Sequence, residues 1–98
     1  MNAKEARRQS EQNRNDIINE LYSQIKYAIE EAVRQGKTFV YVDSQKYHYD
    51  YDDIEDLKDY YLNIGKRVSE ILINNEYRCS YSIEYDIHAC YVRLYISW

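Results

Sequence analysis

The chain is 98 residues long, carries a formal net charge of −4, and is 45% hydrophobic by a count that includes thirteen tyrosines. That length holds one domain with one core, burying roughly 60 to 70% of the surface that the unfolded chain exposes. No run approaches the ~20 apolar residues of a membrane span, and the polar start lacks a signal pattern, so the chain reads as soluble and unexported. The acidic balance excludes a long nucleic acid as partner, which needs a broad basic field, but leaves room for a small phosphorylated ligand.

Charge is spread unevenly. Residues 1–16 set Lys4, Arg7, Arg8 and Arg14 against Glu5, Glu11 and Asp16, a balance of +1. Residues 47–59 set Asp50, Asp52, Asp53, Glu55, Asp56 and Asp59 against Lys58, a balance of −5. The acidic stretch repels a phosphate, whereas the start of the chain tolerates one.

With no proline and two glycines, the chain has no flexible linker or low-complexity tract, and it shows no internal repeat. A first helix is predicted from about Ala3 to Gln35. Its second half places Ile18, Leu21, Ile25, Ala28, Ile29 and Ala32 on one stripe, and Gly36 follows as a left-handed terminator. From Asn2 to Asp16 the only apolar residues are Ala3 and Ala6, so residues 1–16 read as a polar helical extension. It either stays solvated or packs on a neighbouring subunit or a ligand.

Thr38 to Asp43, rich in β-branched and aromatic residues, reads as a short strand. A polar segment containing Tyr47-His48-Tyr49-Asp50-Tyr51 leads into a second helix, about Asp53 to Asn74. Its core stripe is Ile54, Leu57, Tyr61, Ile64, Val68 and Ile71, and Asp52 or Asp53 is its N-cap. Gly65 inside this helix costs about 1 kcal/mol relative to alanine. It marks either a close approach to another backbone or a tolerated weakness.

The end of the chain alternates twice, from Tyr77 to Tyr85 and from Ala89 to Trp98, as an antiparallel hairpin requires. Cys79, Tyr81, Ile83 and Tyr85 share one face with Cys90, Val92, Leu94, Ile96 and Trp98. Centring the turn on Asp86-Ile87 pairs Tyr85 with His88, Cys79 with Leu94 and Ile83 with Cys90; a four-residue loop about the same centre also fits. The two thiols are then about 13 Å apart, too far for a disulfide. The predicted fold class is α+β: a single domain over 1–98, ordered α-β-α-β-β, with two helices packed on one face of a small antiparallel sheet that ends in a long β-hairpin.

Catalytic chemistry is hard to assemble. His48 and His88 fall in a polar loop and at a hairpin turn and belong to no nucleophile–base motif. The cysteines lack zinc-site spacing, no phosphate-binding glycine loop is present, and the Asp50, Asp52 and Asp53 cluster lacks the glycine and distal glutamate of a calcium loop. No catalytic residue, metal ligand or cofactor is therefore assigned, and the chain reads as a non-enzyme. Binding is easier. A nucleotide asks for cations on phosphate and aromatic faces on bases. Lys4, Arg7 and Arg8 lie on successive turns of the first helix with Gln12 continuing their side, while Tyr91, Arg93 and Tyr95 share the outward face of the last strand. If the two groups meet across a subunit boundary they form a polar-aromatic pocket; otherwise they are ordinary solvated surface.

The opening Ala3-Lys4-Glu5-Ala6-Arg7, the Ala28 to Gly36 helix end and the closing Ile96-Ser97-Trp98 resemble a group of short phage proteins built on the same landmarks. Glu76-Tyr77 stands where such proteins often carry Gly-Tyr. The group is similar to the anti-CBASS sponge family of Bacillus phages. The resemblance implies a homo-oligomer in the cytoplasm of the infected host that binds a cyclic dinucleotide or related signal, such as cyclic GMP–AMP, and sequesters it without cleavage. The alternative is a phage protein–protein interaction module, either a virion component or an inhibitor of a host protein.

Overall fold

A computed structural model describes residues 1–48 and 54–98, with side chains for all of these except 54–57. The elements are α1 (Ala3–Arg34), β1 (Phe39–Asp43), β2 (Tyr47–His48), α2 (Ile54–Asn74), β3 (Arg78–Asp86) and β4 (Ala89–Ser97). The α+β class and the α-β-α-β-β order hold, with the first extended segment divided in two. The N-cap expected at Asp52 or Asp53, the Asp50, Asp52 and Asp53 cluster, and Tyr49 and Tyr51 lie outside the described residues. None of the helices, among the described residues, is long and apolar enough to cross a membrane.

Local chemistry sets the helix ends. The Asn2 side chain accepts the Glu5 N–H at 2.8 Å and caps α1, satisfying one of the donors that a helix start leaves orphaned. At the other end Gly36 takes φ +76°, and Lys37 N–H reaches the Ala32 carbonyl at 2.9 Å while Gly36 N–H reaches Val33 at 3.0 Å. That is a Schellman motif, with glycine where the left-handed residue belongs. α2 closes the same way, with Tyr77 N–H to Leu72 at 3.1 Å and Glu76 N–H to Ile73 at 3.0 Å. Here the left-handed residue is Glu76, at φ +72°. A side chain in that conformation costs about 1–2 kcal/mol, and this is the position of the turn that most favours glycine.

β4 is the central strand. β3 pairs antiparallel with its whole length on one side, while β1 and β2 lie end to end on the other. Both β1 and β3 begin opposite Ser97, so α1 and α2 end at the same end of the sheet and run side by side. They cover one sheet face. The core joins Ile18, Leu21, Ile25 and Ile29 of α1, Tyr61, Ile64, Val68 and Leu72 of α2, Val42 of β1 and Cys90, Val92, Leu94 and Ile96 of β4. Ile71, expected in the α2 stripe, is only half-buried, and Leu72 takes the core position because the stripe continues in steps of four after Ile64.

α1 spans about 48 Å at 1.5 Å per residue, whereas nine-residue β4 spans about 30 Å. The first buried residue of α1 is Ile18, so the opening turns project beyond the sheet. Two residues within the expected 1–16 extension touch α2. Arg14 lies over the Tyr60 ring with its guanidinium carbon 5.7 Å from the centroid, and Arg67 donates to the Asn15 amide oxygen at 2.9 Å.

The hairpin register differs from expectation by one residue pair. Asp86 pairs with Ala89, Tyr85 with Cys90, Ile83 with Val92 and Cys79 with Ile96, around a two-residue Ile87-His88 turn. A shift of that size keeps every side chain on its face, so the apolar pattern is blind to it. Turn chemistry decides. His88 takes φ +57°, a left-handed conformation in which histidine is enriched, and the Asp86 carboxylate accepts the Ile87 N–H at 2.8 Å. Cys79 now lies six residues along the hairpin from Cys90, roughly 20 Å, and both are free thiols.

A bulge separates β1 from β2. Val42 pairs with Leu94 and Tyr47 with Cys90, so five steps on the edge match four on β4. The extra residue turns Tyr47 to the core side, where its ring lies 6.2 Å from that of Tyr61. Ser44 repairs the ladder at the break. Its N–H donates to the Val92 carbonyl and its hydroxyl accepts the Val92 N–H, both at 2.8 Å. Across the sheet, Gly65 is a seat: a Cβ there would stand 2.7 to 3.2 Å from three carbons of the Tyr81 ring. The expected close approach is to a side chain.

Two substitutions test these contacts. Ser44→Ala leaves the fully buried Val92 N–H without its acceptor, and urea unfolding should show a loss of about 1–3 kcal/mol. Gly65→Ala gains about 1 kcal/mol of helix propensity yet drives into Tyr81 at a cost of about 1–3 kcal/mol, so a net loss of up to about 2 kcal/mol is expected. An increase in stability in the second case would show that the ring is not seated there.

Candidate functional site

The sheet face away from the helices carries the outward residues of three strands in a regular grid. Tyr41, Tyr95 and Ser80 are successive cross-strand neighbours, as are Asp43, Arg93 and Ser82, while Glu84 stands opposite Tyr91. The strand period of two places them there, because Val40, Val42, Leu94 and Ile96 take the core side. Phe39, Tyr41, Tyr95, Arg93, Ser80, Ser82 and Glu84, with Tyr81, line an open concavity of about 610 Å³, within the roughly 300–1,000 Å³ of small-molecule sites.

One end of the concavity is aromatic. The Tyr41 and Tyr95 ring centroids are 5.0 Å apart, Phe39 and Tyr95 are 6.1 Å apart, and Phe39 meets Tyr41 edge-on at 6.3 Å. All three are exposed, with Tyr41 at 61%. Three rings held together in solvent are poorly explained by core packing, since the core lies on the other side of the sheet.

The middle is polar and fixed. Arg93 grips Asp43 with two hydrogen bonds, Nε to Oδ1 at 2.8 Å and Nη2 to Oδ2 at 3.2 Å, and Nη2 also reaches the Tyr91 hydroxyl at 3.4 Å. Asp43 holds the Arg93 guanidinium well above its ordinary range, and its planar fork is preorganised. At the turn end, Lys46 donates to Asp86 at 2.9 Å and stands 5.4 Å from the centre of the Tyr91 ring.

Of the seven residues expected to bind ligand, Tyr91, Arg93 and Tyr95 share this face. Lys4, Arg7, Arg8 and Gln12 do not join them within one chain. They lie exposed on the projecting start of α1, which belongs to the layer on the opposite side of the sheet. There Arg8 stands 3.9 Å from Glu5, and Gln12 donates to Asp16 at 3.2 Å. Phe39, Tyr41 and Asp43 complete the face and were not among the expected residues. Their alternation with Val40 and Val42 was visible, but the strand they pair with was not.

His48 and His88 are both exposed, with His48 paired to Ala89 beside the hairpin turn. Burial pushes the Cys79 and Cys90 thiols up, away from nucleophilic thiolate. Among the described residues no group of three or more His, Cys, Asp and Glu side chains is placed to hold a metal ion. The arrangement can stack planar rings and offer a fixed guanidinium edge. Comparison of the chain with protein-family models, with curated proteins and with solved structures finds no match.

The turn-end ion pair makes a pH prediction. The Lys46 hydrogen bond, the Ile87 N–H and the Lys46 charge together lower the Asp86 carboxyl below its ordinary value. A depressed carboxylate contributes stability above the unfolded value of about 3.9, and that contribution is lost as pH falls through the folded value. Carboxyl NMR titration should therefore find the Asp86 midpoint below about 3.9, and Lys46→Met should return it toward that value.

Proposed function

We propose that the open sheet face is a ligand platform and that the protein sequesters a cyclic nucleotide signal of the infected bacterium, such as cyclic GMP–AMP, without cleaving it. The observation that carries this reading is the exposed Phe39, Tyr41 and Tyr95 cluster set beside a fixed Arg93. Bases stack on aromatic rings, at about 1–3 kcal/mol per base, and a guanidinium serves a phosphate or a base edge.

Within one chain this face does not have the charge for two phosphates, because Asp43 offsets Arg93. The proposal therefore assigns the missing cations to Lys4, Arg7 and Arg8 of a neighbouring protomer, whose α1 start projects far enough to lie across a partner's sheet. Sequestration needs affinity rather than turnover, and two preorganised surfaces closing on one ligand supply it. The likeness to phage sponge proteins supports the same reading from the chain's two ends.

The test is calorimetry and native mass spectrometry with a panel of cyclic nucleotides, followed by heat release of the bound ligand. Intact ligand is expected, and recovery of linear product would mean an enzyme. Tyr95→Ala and Tyr41→Ala, both at exposed positions, should each weaken binding by about 5- to 150-fold while leaving the circular dichroism spectrum unchanged. If no cyclic nucleotide binds and one host or virion protein copurifies in stoichiometric amount, the protein–protein module is the correct reading.

A further inference from the structure

β3 forms one edge of the sheet, and the distribution of its side chains is unlike that of an edge merely exposed to water. Among the described residues it pairs only with β4, leaving one side of a nine-residue strand unpaired. Edges left in solvent are commonly short, bulged or guarded by like charges. This one is long and regular. Its core-side residues Cys79, Tyr81 and Ile83 pack on the core yet remain only half-buried, with no strand paired beyond them among the described residues.

The outward residues are self-complementary. Arg78 and Glu84 lie three residues to either side of Tyr81, carry opposite charge, and make no ion pair among the described residues. A second β3 laid antiparallel about a two-fold axis at Tyr81 places Arg78 opposite the copy's Glu84 and Glu84 opposite its Arg78. In the same register Ser80 faces Ser82, and Cys79 faces Ile83 on the core side. Faces must match across such an axis, which restricts the register to slips of whole residue pairs. Centring on Ser82 would set Arg78 against Asp86, already held by Lys46, and leave Glu84 opposite Ser80. Centring on Ser80 leaves both charges without partners in the strand.

The helix above the edge agrees. α2 packs on β3 through Gly65, which meets Tyr81, and turns Tyr60 and Arg67 toward α1. Leu62 and Ile73 share the flank of Gly65, by helical spacing, and so face away from α1; Ile73 is 54% exposed. A two-fold axis at Tyr81 brings this flank against its own copy above the joined sheet.

We infer that the β3 edge is a homodimer interface, in which two β3 strands pair antiparallel about Tyr81 into one continuous sheet with both open faces on the same side. The interface is isologous and closes at two copies. It stands independently of the ligand assigned to the open face, since a nucleotide titration tests that reading and sedimentation tests this one.

The experiment is analytical ultracentrifugation of the full chain, at tens of micromolar and low salt, with far-ultraviolet circular dichroism to confirm folding. Wild-type protein should sediment as a dimer or an even multiple of one. Arg78→Glu and Glu84→Arg should each weaken that association by about tenfold or more, because each sets like charges opposite one another twice per dimer. Combining R78E with E84R should restore it, because the pairs are exchanged rather than lost. A monomeric wild type, single variants that associate like wild type, or a double variant that stays dissociated would each overturn the proposal.

Discussion

The structure depends on β4 receiving backbone hydrogen bonds along both edges. Val92, Leu94 and Ile96 are fully buried because strands flank them and two helices cover them. A strand in that position buries its polar backbone without penalty, since every ladder group has a partner. The order of the chain follows. α1 and α2 each lead through a Schellman turn into a strand that starts opposite Ser97, so two helix–strand units converge on the same end of one central strand.

The same strand creates the site. Its period of two sends Cys90, Val92, Leu94 and Ile96 inward, and therefore Tyr91, Arg93 and Tyr95 outward. On β1 that arrangement meets Tyr41 and Asp43 in register, which turns a row of separate residues into an aromatic pair and a clamped guanidinium. The Ser44 bulge then reverses the facing of the edge, so Tyr47 leaves the open face and joins Tyr61 on the core side. One inserted residue thus separates the part of the edge that lines the open face from the part whose Tyr47 ring meets Tyr61.

In the proposed reading, ligand affinity comes from rings that the sheet holds apart from the core, and charge comes from a neighbouring protomer. Arg93 is tied to Asp43 and Lys46 to Asp86, so the face is close to internally neutral. In the proposed reading the phosphate-binding cations are Lys4, Arg7 and Arg8 on the projecting start of α1, where Arg8 stands 3.9 Å from Glu5. In the two proposals the phosphate contacts fall on the start of α1 and the open face, whereas the subunit contact falls on the β3 edge.

The sequence by itself determined where each long element lies and, apart from Leu72 taking the core position expected of Ile71, which face of it turns inward. Ile18 to Ile29, Tyr61 to Val68 and Cys90 to Ile96 repeat with the periods of helix and strand, and Gly36 ends α1 because it tolerates a left-handed backbone. The outward facing of Tyr91, Arg93 and Tyr95 follows from that periodicity alone. Tertiary structure decided everything that depends on which strand meets which. It set the hairpin register through the Ile87-His88 turn, since a two-residue slip preserves facing, and it placed β1 beside β4, bringing Tyr41 to Tyr95 and Asp43 to Arg93. It also turned Gly65 from an apparent weakness into the seat of Tyr81. Periodicity records the direction of a side chain but carries no information about the partner it will find there, because that partner comes from a distant part of the chain and is chosen by backbone pairing.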